Sequence, residues 1–261
     1  MNWNRIHAYR SANPFLMLPI KLLQIAKKRN GRFLSIKKGY CPLCESETVF
    51  IRFSDNEWGC NCIKCWATPP VMSYIDVLKK VVDINFSKKC VFEMSSYGPV
   101  NRYLKKKAGK FFCSEYFEDV EPGQYRDGVQ CQDVQKLTFR SNIFDLVTCT
   151  EVFEHVPDDR KGFLEIHRTL KPGAYFVLSV PLSEKLTVER AMYVDGRVIK
   201  LVEPEYHLDP LRPEGCLCYR DYGPDIIDRL LECGFKEAEI VKGCDFTGWG
   251  YSRYVIVAKK D

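Results

Sequence analysis

The sequence predicts an α/β fold: an open, mostly parallel sheet covered by helices on both faces, preceded by a small cysteine-rich module. Three observations carry this. Phe144–Cys149 (FDLVTC) and Ala174–Val180 are continuous apolar runs the size of buried strands, as expected for a sheet covered on both sides. Between them, Asp158–Leu170 places Phe163, Leu164, Ile166, His167 and Leu170 on one helical face, and Lys171-Pro172-Gly173 follows as a stop. Strand, helix and strand make one βαβ unit. Finally, five of the 13 cysteines crowd into positions 41–65.

Composition sets the frame. A chain of 261 residues, 46% hydrophobic and 28% charged, suits one medium domain plus a small module. The net charge of +5 is uneven. Residues 1–40 hold Arg5, Arg10, Lys21, Lys27, Lys28, Arg29, Arg32, Lys37 and Lys38 and no acid, so the remainder is slightly acidic. A basic arm of this kind either stays solvated or meets an anionic partner such as nucleic acid, phospholipid or a phosphorylated substrate. Single cysteines inside predicted strands fit a reducing compartment. No secretory leader is expected, because Pro19 and Lys21 interrupt the apolar run Phe15–Ala26, and no run is long enough to span a bilayer. A cytoplasmic protein is therefore expected.

Taken in order, positions 1–40 form a basic, apolar segment with an amphipathic helix expected over about 14–28. Such a helix packs on its own domain or lies in a membrane interface, and the second option would put the protein at the inner membrane face. Positions 41–67 read as a zinc ribbon. Cys41-Pro-Leu-Cys44 and Cys62-Ile-Lys-Cys65 are two C-x₂-C knuckles, linked by an alternating strand (Thr48–Phe53) and a turn (Asn56–Gly59). Two such pairs hold one tetrahedral zinc with no open coordination position, so its role is structural. Cys60 offers a rival ligand through Cys60-x-Cys62, and Cys62 is preferred because C-x₂-C is the common knuckle. Positions 68–85 read as a linking helix opened by Thr68-Pro-Pro.

Positions 86–261 form the main domain. Lys88–Glu93 is a strand ending in an acid, Met94–Pro99 a loop of small residues, and Asn101–Lys107 the start of a helix. Phe111–Tyr116 is the next strand, with Glu115 near its end, where a carboxylate can accept both ribose hydroxyls of an adenosine. Val129–Val134 is a third strand ending in Asp133. Glu151 and His155, in Thr150–Val156 (TEVFEHV), follow the fourth strand at the carboxyl edge of the sheet, where open α/β folds bind ligands. His155 reads as a general base or as a cap for the helix at Asp158. Positions 182–218 are too long for a simple connection and read as a substrate lid. Tyr206, His207 and Asp209 cluster there, and His207 is a candidate base for a hydroxyl acceptor. A helix over Asp225–Glu232 and two edge strands, Glu237–Val241 and Tyr254–Ala258, complete the domain.

CQDVQKLTF, FDLV, EVFEHV and LKPGAYFVLSVP, in that order, resemble the class I S-adenosylmethionine (SAM)-dependent methyltransferases, over about Lys88 to Lys259. More narrowly, the ribbon followed by E-x-S-S, SEYF and a PEYH–EG segment is similar to bacterial methyltransferases of cell-surface polysaccharide type. The resemblance implies a Rossmann-like class I methyltransferase sheet. It also implies SAM held by Glu93, Ser95 and Gly98, by Glu115 on the ribose, and by Asp133 and the Val134 amide on adenine, with Glu151 at the rim. Serines stand where that family carries most of its loop glycines, and only Gly98 remains. The expected reaction is methyl transfer to a sugar hydroxyl of a glycan or lipid-linked glycan, with His207, Tyr206 and His155 positioning or deprotonating it. RNA base methylation, with the ribbon and basic arm on phosphates, is a second reading. A degenerate fold acting as an interaction subunit is a third.

Overall fold

The computed structural model describes residues 35–82, 86–209, 212 and 214–261. The basic amphipathic helix expected over 14–28 lies outside the described residues, as do positions 83–85 at the end of the expected linking segment.

Three strands, β1 (Ser35–Cys41), β2 (Ser46–Arg52) and β3 (Cys60–Cys62), form a small antiparallel sheet ordered β1-β2-β3. Helix α1 (Pro69–Val81) follows, with its prolines in the first turn, where the missing amide hydrogen costs nothing. The main sheet comprises β4 (Cys90–Glu93), β5 (Lys110–Glu115), β6 (Tyr125–Arg126), β7 (Val129–Cys131), β8 (Phe144–Thr150), β9 (Leu170–Ser179), β16 (Glu237–Lys242) and β17 (Tyr254–Lys259). Its order is β16-β17-β9-β8-β4-β5-β7-β6. The pairs β4/β5, β5/β7, β4/β8 and β8/β9 are parallel, whereas β17 runs antiparallel to both β9 and β16. Strand order reverses between β4 and β8, which opens a crevice at their carboxyl ends. The fold is Rossmann-like.

Helices α2 (Gly98–Lys107), α3 (Asp159–Thr169) and α4 (Ile226–Glu232) complete the layers. Strand residues alternate between two cores. Val91, Leu146, Val177 and Val257 pack with Tyr74, Leu78 and Leu104 of α1 and α2. Phe92, Val147, Phe176 and Ile256 pack with Phe163, Ile166 and Leu230 of α3 and α4. Both faces are covered, which explains why the strands read as unbroken apolar runs.

Two boundaries differ from expectation. The strand expected over Val129–Val134 ends at Cys131 and pairs with β6 as a hairpin; Asp133 lies beyond it and caps a short 3-10 turn by accepting the Gln135 amide at 2.9 Å. Lys171-Pro172-Gly173 does not separate helix from strand. It lies in a bulge inside β9, where Phe144 faces Leu170 but Leu146 already faces Tyr175. Gly173 takes φ +72°, which favours glycine, and the irregular ladder tolerates the proline.

The small sheet is docked on the main domain. Met72 joins its core, with Phe246, Trp249 and Tyr251 packed alongside. Glu45 bridges to Lys79 of α1 at 3.0 Å and to Lys107 of α2 at 2.7 Å. Those two lysines hold its carboxyl down at about 2, but the pairs are solvent-exposed and worth no more than about 1 kcal/mol. The described residues of 182–218 fold as β-hairpins rather than as an open loop: β11 (Ala191–Val194) with β12 (Arg197–Lys200), and β13 (Tyr206–His207) with β14 (Cys216–Leu217). Their base is β10 (Val188–Glu189) paired with β15 (Arg220–Asp221). No helix among the described residues is long and apolar enough to cross a membrane.

Candidate active site

The crevice between β4 and β8 collects acids from successive strand ends. Glu93 ends β4 and is fully buried, accepting a hydrogen bond from Thr148 Oγ1. Burial pushes its carboxyl up to about 8. The loop after it turns at Gly98, whose φ of +94° suits glycine and above which an added Cβ would meet nothing within 4 Å. Glu115, ending β5, accepts from the Ser96 amide at 2.7 Å and the Ser96 hydroxyl at 2.8 Å, with Ser95 Oγ 3.4 Å away. Serines in place of glycines therefore tie the loop to the neighbouring strand's acid. Asn101 of α2 donates to the Ser95 carbonyl at 2.7 Å from the other side. Asp133 stands next along the edge, with Val134 buried behind it.

Glu93 yields a test through stability. In the fold its carboxyl stays protonated up to about pH 8, whereas in the unfolded chain it ionises near 4.5. The folded chain thus binds the extra proton, so stability is fullest below pH ~4.5 and declines until pH ~8, at up to about 1.4 kcal/mol per pH unit. Glu93→Gln is expected to remove this slope, leaving the variant more stable than the parent by on the order of 3 kcal/mol at pH 8.5. Urea unfolding at pH 5.5 and 8.5 measures the difference; equal slopes in both proteins would refute it.

Across the crevice, β8 ends at Thr150 and the chain turns sharply. Glu151 takes φ +53°, an uncommon conformation for a side-chain-bearing residue, and accepts from Ser179 Oγ at 2.9 Å. Burial, reinforced by the nearby Glu154 charge, pushes its carboxyl up to about 7. A 3-10 turn over Phe153–His155 then carries Glu154 and His155 to the sheet edge. His155 does not cap the helix. Asp158 caps α3 itself, accepting the Lys161 amide at 3.1 Å, while His155 Nδ1 faces the Leu217 carbonyl at 2.9 Å.

His207, from the insertion, meets His155 edge to face with ring centroids 5.0 Å apart. Its Nδ1 lies 3.6 Å from Glu154 Oε1, and that carboxylate raises its pKa. Tyr206 is 51% exposed, and adjacent strand residues point to opposite faces, so it turns away from the imidazole pair. Asp209 pairs with Arg212 rather than with the histidines. Sequence reasoning passed over Glu154, although an acid three residues after Glu151 in an otherwise apolar segment was a usable signal. It also passed over Arg220, which is 3% exposed and holds the insertion to this turn through the Phe153, Val156 and Pro157 carbonyls.

In the small sheet, the sulfurs of Cys41, Cys44, Cys62 and Cys65 lie within 4.8 Å of one another. Cys41 and Cys65 are 3.7 Å apart, and Cys44 and Cys62 are 3.8 Å apart. Four thiolates about 2.3 Å from a central zinc would be separated by about 3.8 Å. Cys60 stands outside this group as a buried thiol, pushed up to about 12 by burial.

The chain shares local similarity with known proteins. Residues 98–178 match the family model described as "Methyltransferase domain". The chain is similar to the ubiquinone biosynthesis O-methyltransferase of Coxiella burnetii, 37% identical over 60 residues, which is 23% of this chain and 26% of that protein. The match thus spans about a quarter of that relative's length. Among solved structures it is similar to an S-adenosylmethionine-dependent methyltransferase from Mesorhizobium loti, with 15% identity and a TM-score of 0.49 over 72% of this chain and 98% of that one. It is also similar to the Burkholderia thailandensis 1,6-didemethyltoxoflavin-N1-methyltransferase, with 17% identity and a TM-score of 0.44 over 66% of this chain and 71% of that one. The matched segment, 98–178, runs from the turn at Gly98 through most of β9.

Proposed function

We propose that the chain is a SAM-dependent methyltransferase acting on a hydroxyl, with a sugar hydroxyl of a glycan or lipid-linked glycan as acceptor. The observation that carries this reading is the row of acids Glu93, Glu115 and Asp133 at adjacent strand ends beside the switch point, facing the His155–His207 pair across the crevice. Bound SAM supplies an electrophilic methyl group. The open turn at Gly98 and the Ser95–Ser96 loop receive its methionine portion, Glu115 its ribose hydroxyls, and Asp133 with the Val134 amide its adenine. Glu151 lines the rim. The reaction is an in-line displacement, so orientation of the acceptor oxygen does much of the work. His155 and His207 hold that oxygen, and the hairpins over 182–218 close over it. The 60-residue similarity to an O-methyltransferase supports an oxygen acceptor, and the narrower sequence resemblance supports a glycan.

The four convergent cysteines fit a structural zinc, which would staple a sheet too small to bury much core of its own. The N-terminal segment supplies any contact with an anionic membrane. Calorimetry on the zinc-loaded chain tests the reading. S-adenosylhomocysteine is expected to bind, and Asp133→Ala to weaken it about 10- to 100-fold, the worth of one hydrogen bond to a charged group. No binding would sink the proposal. Methyl transfer to RNA with steep salt dependence, and none to glycan acceptors, would replace the acceptor class.

A further inference from the structure

We propose that Glu154, His155 and His207 form a divalent-cation site at the carboxyl edge of β8, with Cys218 and Glu151 beside it. We further propose that the cation there holds the acceptor oxygen. The second clause rests on the methyltransferase reading; the site itself does not.

Glu154 carries the inference. Its side chain is 2% exposed, and neither carboxylate oxygen has a hydrogen-bond partner among the described residues. Burying an ionised carboxylate without partners costs several kcal/mol, so buried carboxylates are normally paired or ligated. What faces this one is two imidazole nitrogens. Nδ1 of His155 lies 2.9 Å from the Leu217 carbonyl, which can only accept, so Nδ1 carries the hydrogen. Nε2 then presents a lone pair, 3.7 Å from Glu154 Oε1. His207 approaches through its other ring nitrogen. Its Nε2 lies 3.5 Å from Glu205 Oε1, and its Nδ1 lies 3.6 Å from the same Glu154 oxygen.

Two imidazole nitrogens thus face one carboxylate oxygen. The separations are too long for hydrogen bonds. They match two donors that share one ion, since ligands 2.0–2.2 Å from a metal are about 3.0–3.7 Å apart. The Cys218 sulfur completes a group with both imidazoles whose atoms lie within 4.8 Å of one another. The outer contact of His155 also suits a metal site, since a backbone carbonyl is a partner that fixes a ligand's tautomer. A protonated His207 paired to Glu154 is the competing arrangement. It would draw the two to about 2.8 Å and would leave His155 Nε2 facing the carboxylate without a proton.

Chain topology brings the ligands together from distant stretches. The 3-10 turn after β8 supplies Glu154 and His155, and the β13–β14 hairpin supplies His207. The Tyr219 amide donates to the Glu154 carbonyl at 2.7 Å and the Cys218 amide to the Glu205 carbonyl at 2.8 Å, locking the two together. Two imidazoles and a carboxylate, with a thiol at hand, select zinc, manganese, cobalt or iron over magnesium or calcium. A bound hydroxyl would become more acidic. Its oxygen attacks the methyl carbon, an O–CH₃ bond forms and the S–CH₃ bond breaks. The bonding pair passes to sulfur, and the hydroxyl proton leaves to water.

The test is an electron paramagnetic resonance titration with Mn²⁺ of the full chain carrying a single equivalent of zinc, which the four thiolates take up and for which Mn²⁺ does not compete. One equivalent is expected to bind. Glu154→Gln and His207→Ala should each weaken it at least 100-fold, and Glu205→Gln about 10- to 100-fold. Glu154→Gln removes a buried charge and is expected to stay folded by circular dichroism. Absence of Mn²⁺ binding to the parent chain, or binding that Glu154→Gln leaves unchanged, overturns the site. S-adenosylhomocysteine calorimetry on the same samples separates the two proposals. Nucleoside binding without Mn²⁺ refutes the cation site and spares the transferase reading, and Mn²⁺ without nucleoside does the reverse.

Discussion

Replacing Arg220 with Met is expected to destabilise the chain by about 3–5 kcal/mol, the largest effect of any single non-cysteine substitution proposed for this protein. The guanidinium is 3% exposed. One terminal nitrogen donates to the Phe153 carbonyl at 3.1 Å and the Val156 carbonyl at 2.6 Å, and the other to Pro157 at 2.7 Å. Nε reaches Glu189 at 3.1 Å, and Asp159 lies 3.7 Å away. Asp159 is itself buried between Tyr222 Oη and Arg229, each 2.8 Å away. Methionine fills comparable volume but supplies no donor, so the Val156 and Pro157 carbonyls lose this donor, the Phe153 carbonyl keeps only the Val156 amide at 3.2 Å, and the buried Asp159 loses a neighbouring positive charge. Unsatisfied buried groups cost more than the bonds themselves are worth. Because those carbonyls belong to the turn that carries Glu154 and His155, nucleoside binding and acceptor turnover should weaken together. Urea unfolding measures the stability change. Arg190→Met, at the more exposed partner of Asp221, serves as comparison and should cost about 1 kcal/mol or less. Equal losses at the two arginines would refute the argument from burial.

The second large effect concerns the cysteines. Cys62→Ser is expected to remove one equivalent of zinc per chain and several kcal/mol of stability, because metal binding in so small a sheet is folding energy. Cys41→Ser, Cys44→Ser and Cys65→Ser should do the same. Cys60→Ser should retain the metal and cost only about 1–2 kcal/mol for placing a hydroxyl in a buried site. Atomic absorption on the dialysed proteins reads the metal, and thermal unfolding reads the stability. Zinc lost in the Cys60 variant and kept in the Cys62 variant would invert the assignment. The small sheet packs on Met72 of α1 and lies next to Trp249 and Tyr251, so its loss should also loosen the docked face of the main domain.

The central strands were legible because they are buried on both faces. Phe144–Thr150 and Tyr254–Lys259 keep apolar side chains in register with both cores, and no competing pattern explains such runs. The short element Val129–Cys131 was less legible. Its length depends on pairing with Tyr125–Arg126, and a hairpin partner two residues long leaves almost no periodic signal. Lys171–Gly173 read as a stop because Pro and Gly usually end elements. Only the pairing of β8 with β9 shows that the same residues can sit in a bulge.

By itself, the sequence determined the α/β class, the acids at strand ends and the spacing of the cysteine knuckles. These are local properties: burial on two faces imposes hydrophobic runs, and a knuckle is built within a few residues. Tertiary structure decided which distant groups meet. It set Cys62 rather than Cys60 beside Cys44, turned Tyr206 away, bound Glu115 to the Ser95–Ser96 loop and brought His207 of the insertion against Glu154 and His155. The last of these joins stretches far apart in the chain and depends on how the hairpins after β9 return to the sheet. No periodicity records that path, because it is fixed by buried polar anchors such as Arg220, whose partners are backbone carbonyls of any residue type.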